Sequence, residues 1–388
     1  METFVNILYY VVPFIILLGI LVFVHEFGHF IIARLLGVKV VAFSIGFGKE
    51  LWSHTDKKGT RWKISAIPLG GYCQFLGDAD ASSSTTDSEL ANLSEAEKAM
   101  AFPLQKTWKK LAIVVAGPLF NYLLAVLIFI GIFFAFGRFV HPSVVGGLVE
   151  GGAAAEAGIM VGDEILSVNG KATPDFQTLS NEILLSETDE ASVEIKRPLT
   201  TLEPEDGAEN YRILNLTVKL KDTDYEDKVG GKTKRRMLGV QSTPELAFSE
   251  KLNFPQAIIA GFEETYNITA MTLRGVWQMI TGQRGGKDVG GIIRIAEMSG
   301  DVSKTGGLIG FIYFMALLSV NLGLINLFPI PVLDGGNIVI FLIEMVVGHD
   351  LKENIKDYIF KFGLLVILAI MLLATWNDIL HLANRLFY

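Results

Sequence analysis

Ile7-Leu8-Tyr9-Tyr10-Val11-Val12-Pro13-Phe14-Ile15-Ile16-Leu17-Leu18-Gly19-Ile20-Leu21-Val22-Phe23-Val24-His25-Glu26-Phe27-Gly28-His29-Phe30-Ile31-Ile32-Ala33 is apolar and uncharged up to Val24, then sets two histidines and a glutamate into the same run. A helix over 7–33 is long enough to cross a hydrocarbon core of about 30 Å and satisfies its own backbone there. Ionisable side chains inside such a span cost roughly 3 kcal/mol or more each, and they persist mainly where they serve a site or a pathway. This stretch therefore predicts a membrane fold and points to where its chemistry lies.

Three further spans follow at 111–136, 308–328 and 362–382. The third runs into Asn326, Pro329, Pro331 and Asp334, so its helix is expected to end near Phe328. The irregular backbone beyond must be buried in protein or line a wet cavity. With 51% hydrophobic and 19% charged residues in 388, and a mean hydropathy of +0.43, the composition argues against a soluble monomer. The fold class is a polytopic α-helical membrane protein of about four transmembrane helices. A net charge of -8 with no concentrated basic face excludes nucleic acid as a partner and leaves the lipid bilayer as the surrounding medium. One cysteine, Cys73, rules out an internal disulfide framework and a cysteine zinc cluster, so a metal site must use His, Asp or Glu. No basic region precedes the first span and no small-residue cleavage site follows it, so it is expected to stay as an anchor.

Arg34, Lys39, Lys49, Lys57, Lys58, Arg61 and Lys63 follow the first span, and no positive side chain precedes it. The positive-inside rule then places both termini outside, 34–110 in the cytoplasm, 137–307 outside, and 344–361, with Lys352, Lys356 and Lys361, as a short cytoplasmic link. Within 34–110, the run 61–75 has β-favouring residues on both sides of Pro68-Leu69-Gly70-Gly71 and reads as a hairpin turning there. Residues 78–98 lack periodic apolar positions and read as a mobile loop. The order of strand, short helix, strand and Asn169-Gly170 turn predicts a small α+β module ending near 242. From 254 to 281, Ile258, Ile259, Phe262, Tyr266, Ile268, Met271, Leu273 and Trp277 recur at helical spacing, as on a membrane-surface helix.

His25-Glu26-Phe27-Gly28-His29 is an H-E-x-x-H motif, which on a helix puts two imidazoles on one face with a glutamate beside them. Imidazoles bind zinc, and the glutamate can take a proton from metal-bound water. By spacing alone the same residues also fit a proton relay or a polar contact between helices. Catalytic zinc usually takes three protein ligands, and Asp334 is the candidate for the third. Asp334-Gly335-Gly336 reads equally as an ordinary turn.

His25-Glu26-Phe27-Gly28-His29, together with Asn326-Leu327-Phe328-Pro329-Ile330-Pro331-Val332-Leu333-Asp334-Gly335, resembles the site-2 protease family, whose pattern is HExxH plus NxxPxPxLDG. The similarity continues at Pro68-Leu69-Gly70-Gly71-Tyr72, at Ala116-Gly117-Pro118 with Asn121, and in a PDZ-like module at 144–242, and so covers essentially the whole chain. The arrangement is similar to the bacterial RseP-like branch, with one PDZ-like module where some relatives hold two.

The resemblance implies an intramembrane zinc metalloprotease of the bacterial inner membrane, with His25, His29 and Asp334 binding Zn2+ and Glu26 as general base. It further implies that Asn326, Pro68, Gly70 and Gly71 position the substrate, the last three through a membrane-associated hairpin whose edge adds to an unwound substrate; a plain cytoplasmic hairpin is the alternative. The implied substrates are single-span membrane proteins, such as anti-sigma factors or remnant signal peptides, with the PDZ-like module touching the substrate's ectodomain or C-terminus. The chain then divides into 1–136 with the first two spans and hairpin, 137–243 as the extracytoplasmic PDZ-like domain, 244–307 as surface helix and connector, and 308–388 with the last two spans. One departure is Ile292, where relatives often have proline. A PDZ-bearing scaffold with a structural zinc would have no use for Glu26, and a proton-coupled transporter would be expected to carry an internal repeat that this chain lacks.

Overall fold

The computed structural model describes residues 2–77, 92–184, 186, 188–198, 211–226, 232–243, 247–248, 251–282 and 290–387. Among the described residues, four helices are long and apolar enough to cross a bilayer, over Tyr9–Leu35, Thr107–Ala135, Gly307–Asn326 and Asn354–Ala383. They are the marks of a multi-pass membrane protein. They lie within α1 (Glu2–Leu35), α3 (Thr107–Ala135), α8 (Gly307–Asn326) and α10 (Glu353–Phe387). At 1.5 Å per residue the 20 residues of α8 span about 30 Å, a bilayer core, and the others exceed it.

The chain forms two compact units, one of residues 1–131 with 254–388 and one of 132–253. In the first, α1 and α3 approach closely at Gly28, where a Cβ would stand 2.5 Å from the Ala116 carbonyl oxygen. Leu17 and Leu21 of α1 pack with Phe314 and Met315 of α8. The helix α6 (Phe254–Ile280) matches the predicted 254–281 pattern, and small residues Ala257, Ala260, Gly261 and Thr265 bury one face of it. That face meets α3 at Ile130 and joins α8 through Thr272 Oγ1 to Asn321 Oδ1 (2.8 Å) and Tyr313 hydroxyl to Glu264 Oε1 (2.7 Å). Between α6 and α8 lies α7 (Ile292–Thr305), which sequence periodicity did not reveal.

Three expectations need correction. The hairpin does not turn at Pro68–Gly71: β1 (Val40–Thr55) pairs antiparallel with β2 (Arg61–Phe75), and the chain reverses at Asp56–Thr60. Asp56 Oδ1 accepts the amides of Lys58 and Thr60, and Gly59 takes the positive φ of 84° that a side chain would resist. Pro68–Gly71 is instead a bend within β2, so that Ala42–Ile45 has Gly71–Gln74 on one side and Arg61–Ile64 on the other. The loop expected at 78–98 contains a short helix, α2 (Glu95–Lys98), closed by a Ser94/Glu97 capping box, while 78–91 lie outside the described residues. The link expected at 344–361 overlaps two helices, α9 (Asp334–Val347) and the start of α10. The expected break after the third span is present, with α8 capped at Leu327 and irregular backbone running to Leu333.

The second unit is an α+β module with short strands β3 (Phe139–Val140) and β4 (Val145–Leu148) and helices α4 (Ala153–Glu156) and α5 (Phe176–Leu184). Its four-stranded sheet runs β6-β5-β7-β8, from β5 (Glu164–Val168), β6 (Lys171–Ala172), β7 (Glu190–Pro198) and β8 (Tyr211–Lys219). Alternate residues Ala191, Val193 and Ile195 of β7 point into a core with Ile165, Leu179 and Val218. Asp163, nearly fully buried, is held by Arg197 through two hydrogen bonds of 2.8 Å.

Candidate metal centre

His25 and His29 lie one helical turn apart on α1, and both are buried. Their Nε2 atoms are 3.3 Å apart. Asp334 opens α9, where the chain re-enters helix after the Pro329–Leu333 break, and its Oδ2 lies 3.0 Å from His25 Nε2 and 3.5 Å from His29 Nε2. The break is tight. Val332 has a φ of 86°, and a Cβ at Gly335 would stand 2.1 Å from the Phe328 carbonyl oxygen. Only glycine lets this turn pull Asp334 back toward α1.

Proton placement at this corner favours a cation. His29 Nδ1 lies 2.8 Å from the Ile113 carbonyl oxygen of α3. A carbonyl only accepts, so Nδ1 carries a proton and, in the neutral ring, Nε2 presents its lone pair. Asp334 Oδ2 is buried without a hydrogen-bond partner. Acceptor atoms facing one another out of water repel unless a positive charge lies between them. Tetrahedral zinc bonds of 2.0–2.2 Å would separate neighbouring ligand atoms by about 3.3 Å, which is the spacing found. Among the described residues these three form the group able to hold a metal ion.

Glu26 sits on the neighbouring face of α1, against the hairpin, and its carboxylate accepts from the Cys73 amide of β2. Gly71 makes this approach possible, because a Cβ there would meet the Ser44 carbonyl oxygen at 2.6 Å and Val22 Cγ1 at 2.7 Å. Gly70 has a φ of 131° and lies against the Phe47 ring. Pro68 is half-buried in the same bend. Asn326 is the half-buried last residue of α8, and among the described residues no hydrogen bond ties it to the three converging side chains.

The second span contributes more to this corner than motif reading assigned to it. A Cβ on Gly117 would lie 2.3 Å from His29 Nε2 and 3.0 Å from His25 Cε1, so α3 can touch both imidazoles only because this residue is glycine. Asn121, one turn on, lies against His25 Nδ1. Both positions belong to the Ala116–Asn121 stretch that resembles the family, and an asparagine inside an apolar span was itself a signal.

Residues 13–370 match the model of peptidase family M50. A protein of Agrobacterium fabrum named "putative zinc metalloprotease" is 37% identical over 372 residues, covering 95% of each chain. One of the same printed description from Rickettsia conorii is 38% identical over 377 residues, 96% of this chain and 99% of its own. The metalloprotease MmpA of Caulobacter vibrioides is 33% identical over 391 residues, 95% of this chain and 94% of its own.

Proposed function

From the premise that the chain belongs to peptidase family M50, the site-2 proteases, and is a zinc metalloprotease, we propose that it cuts single-span membrane proteins within or near their transmembrane segments. His25, His29 and Asp334 hold the zinc, and Glu26 is the general base. The observation that carries this reading is the convergence of His25 Nε2, His29 Nε2 and Asp334 Oδ2 within 3.0–3.5 Å. Zinc bound by these three residues would supply a Lewis acid for the scissile carbonyl and for water. Glu26 would accept a proton from the attacking water and pass it to the leaving amine. The Cys73 amide ties the Glu26 carboxylate to β2. A helical peptide bond is shielded by its own hydrogen bonds, so the substrate enters locally unwound. The hairpin edge near Pro68, Gly70 and Gly71 receives it as an added strand, and Asn326 orients its backbone.

The enzyme takes its place in the RseP-like branch and in the bacterial inner membrane, with both termini and the α+β module extracytoplasmic. Support comes from the lysines and arginines that follow α1. The module, in this reading a PDZ domain, acts by sterics and rejects membrane proteins that still carry large ectodomains. Anti-sigma factors or remnant signal peptides then fit as substrates.

The test is cleavage of a tagged single-span substrate by purified enzyme. Glu26→Gln keeps the shape but accepts no proton, so the rate should fall by about 10²–10⁴-fold with zinc content unchanged. A variant that cuts at the wild-type rate would remove Glu26 from the mechanism.

A further inference from the structure

The helix α3 offers the two histidines different partners. His29 Nδ1 meets a carbonyl, which fixes its proton. His25 Nδ1 meets the side-chain amide of Asn121, whose Nδ2 lies 3.1 Å away. Asn121 is completely buried, and its Oδ1 has no hydrogen-bond partner. A side-chain amide can present either a donor or an acceptor, depending on a half-turn of its end. With nitrogen toward the ring, His25 Nδ1 must be the lone pair and Nε2 must carry the proton, which places an N–H where a ligand atom is needed. With oxygen toward the ring, Nδ1–H donates to Oδ1 and Nε2 turns a lone pair to Asp334. The same half-turn gives the orphaned oxygen a donor, and a buried acceptor left without one costs about 1–3 kcal/mol.

We infer that Asn121 is a positioning residue of the metal site, its Oδ1 accepting the Nδ1 proton of His25 when zinc is bound. This rests on the reading of His25 as a ligand. Ile113 and Asn121 are eight residues apart on α3, so one face of one helix sets the tautomer of both imidazoles. Asn121 is itself anchored, since its backbone carbonyl accepts from Ser319 Oγ of α8 at 2.8 Å. Gly117, between the two, keeps the face open to the rings. Outer hydrogen bonds of this kind typically contribute 10–100-fold to metal affinity.

The experiment measures equilibrium zinc affinity by competition with a chromophoric chelator, using full-length protein in detergent and a Glu26→Gln background. Activity is then no part of the readout. Asn121→Asp keeps an acceptor and should bind zinc within about threefold of the parent, whereas Asn121→Leu should bind about 10–100-fold more weakly. Asn121→Thr and Asn121→Val share a shape but differ in the acceptor, and serve if the leucine variant does not fold. Thr should then exceed Val by about tenfold or more. If Asn121 merely packs between helices, Leu will bind as tightly as the parent, Asp will be as weak as Leu, or Thr and Val will be equal, and each result overturns the inference. His25→Ala separates the two readings. Unchanged affinity there would remove His25 as a ligand, whereas lost affinity there with none lost in Asn121→Leu would overturn the role of Asn121 alone.

Discussion

Among the described residues of the first unit, Asp378 is buried between apolar helices and Asp334 has its Oδ2 buried there, and their surroundings are opposite. Asp378, on α10 and 3% exposed, is met by the start of α7. Its Oδ1 accepts from the Gly291 amide at 2.8 Å, and its Oδ2 accepts from Ile293 at 3.0 Å and Arg294 at 3.3 Å. A helix N-terminus with free amides is a complete partner for one negative charge. Asp334 Oδ2 meets no backbone donor, and its neighbours are two imidazole nitrogens, which in the zinc-binding tautomers both turn lone pairs toward it. A buried carboxylate surrounded by donors closes a structure, whereas one surrounded by acceptors calls for a cation. The Asp378 corner also answers the question raised by Ile292. The amide of the first helical residue is absent from the set that Asp378 accepts, so a proline there would lose none of those bonds.

Both corners depend on a glycine, so matched substitutions should separate them. Gly117→Ala drives a methyl group toward His29 Nε2 and His25 Cε1, and activity should fall by about 10²-fold or more, as misplacement of reacting groups by about 1 Å does. Gly291→Ala places its methyl group 2.7 Å from Asp378 Oδ2 and should lower thermal stability while zinc content stays at the wild-type level. Equal zinc loss in both would erase the distinction between a closing and a metal-binding carboxylate.

Asp378→Asn keeps the shape but exchanges one acceptor for a donor facing backbone N–H groups. It should cost about 1–3 kcal/mol of stability and leave zinc bound, as read by thermal melting and metal content.

A third aspartate gives the smallest and most local effect. Burial alone would raise the Asp56 carboxyl, but hydrogen bonds from Trp62 Nε1, Arg34, Thr60 and Lys58 hold it well below the usual carboxylate range. A depressed folded-state pKa stabilises above the unfolded value of about 4, and the stabilisation is lost as pH falls below it. Hydrogen exchange at 56–64 should therefore accelerate below about pH 4 in the wild type, and Asp56→Asn should flatten that dependence. An unchanged profile in the variant would show that Asp56 does not hold the turn.

What could be read in the sequence follows the range of the interactions. His25 and His29 sit four residues apart, so helix geometry alone put them together. The four spans were legible because a bilayer imposes length and composition on each one separately. Asp334 was less so. Its approach to α1 depends on the break at Pro329–Leu333 and on Gly335, and only the resemblance distinguished a ligand from a turn. Pro68-Leu69-Gly70-Gly71 misled for a physical reason. Positive φ and a missing side chain also serve a bend pressed against Phe47 and α1, and the strand partner at 40–55 was not recognised. The helices α7 and α9 were missed because one follows Val289-Gly290-Gly291 and the other follows two prolines, so that local signals read as loop. Asn121 and Gly117 were noticed for resemblance, yet their contacts with His25 and His29 exist only once α1 and α3 cross.

The central claim, that the acceptor-lined corner holds the metal and the donor-lined one does not, is tested most directly by counting zinc in purified full-length protein. About one zinc per chain should be found in the wild type and in Asp378→Asn, and none in His29→Ala or Asp334→Ala. Full zinc in either of the last two, or its loss in Asp378→Asn from a protein that is still folded, would contradict the account.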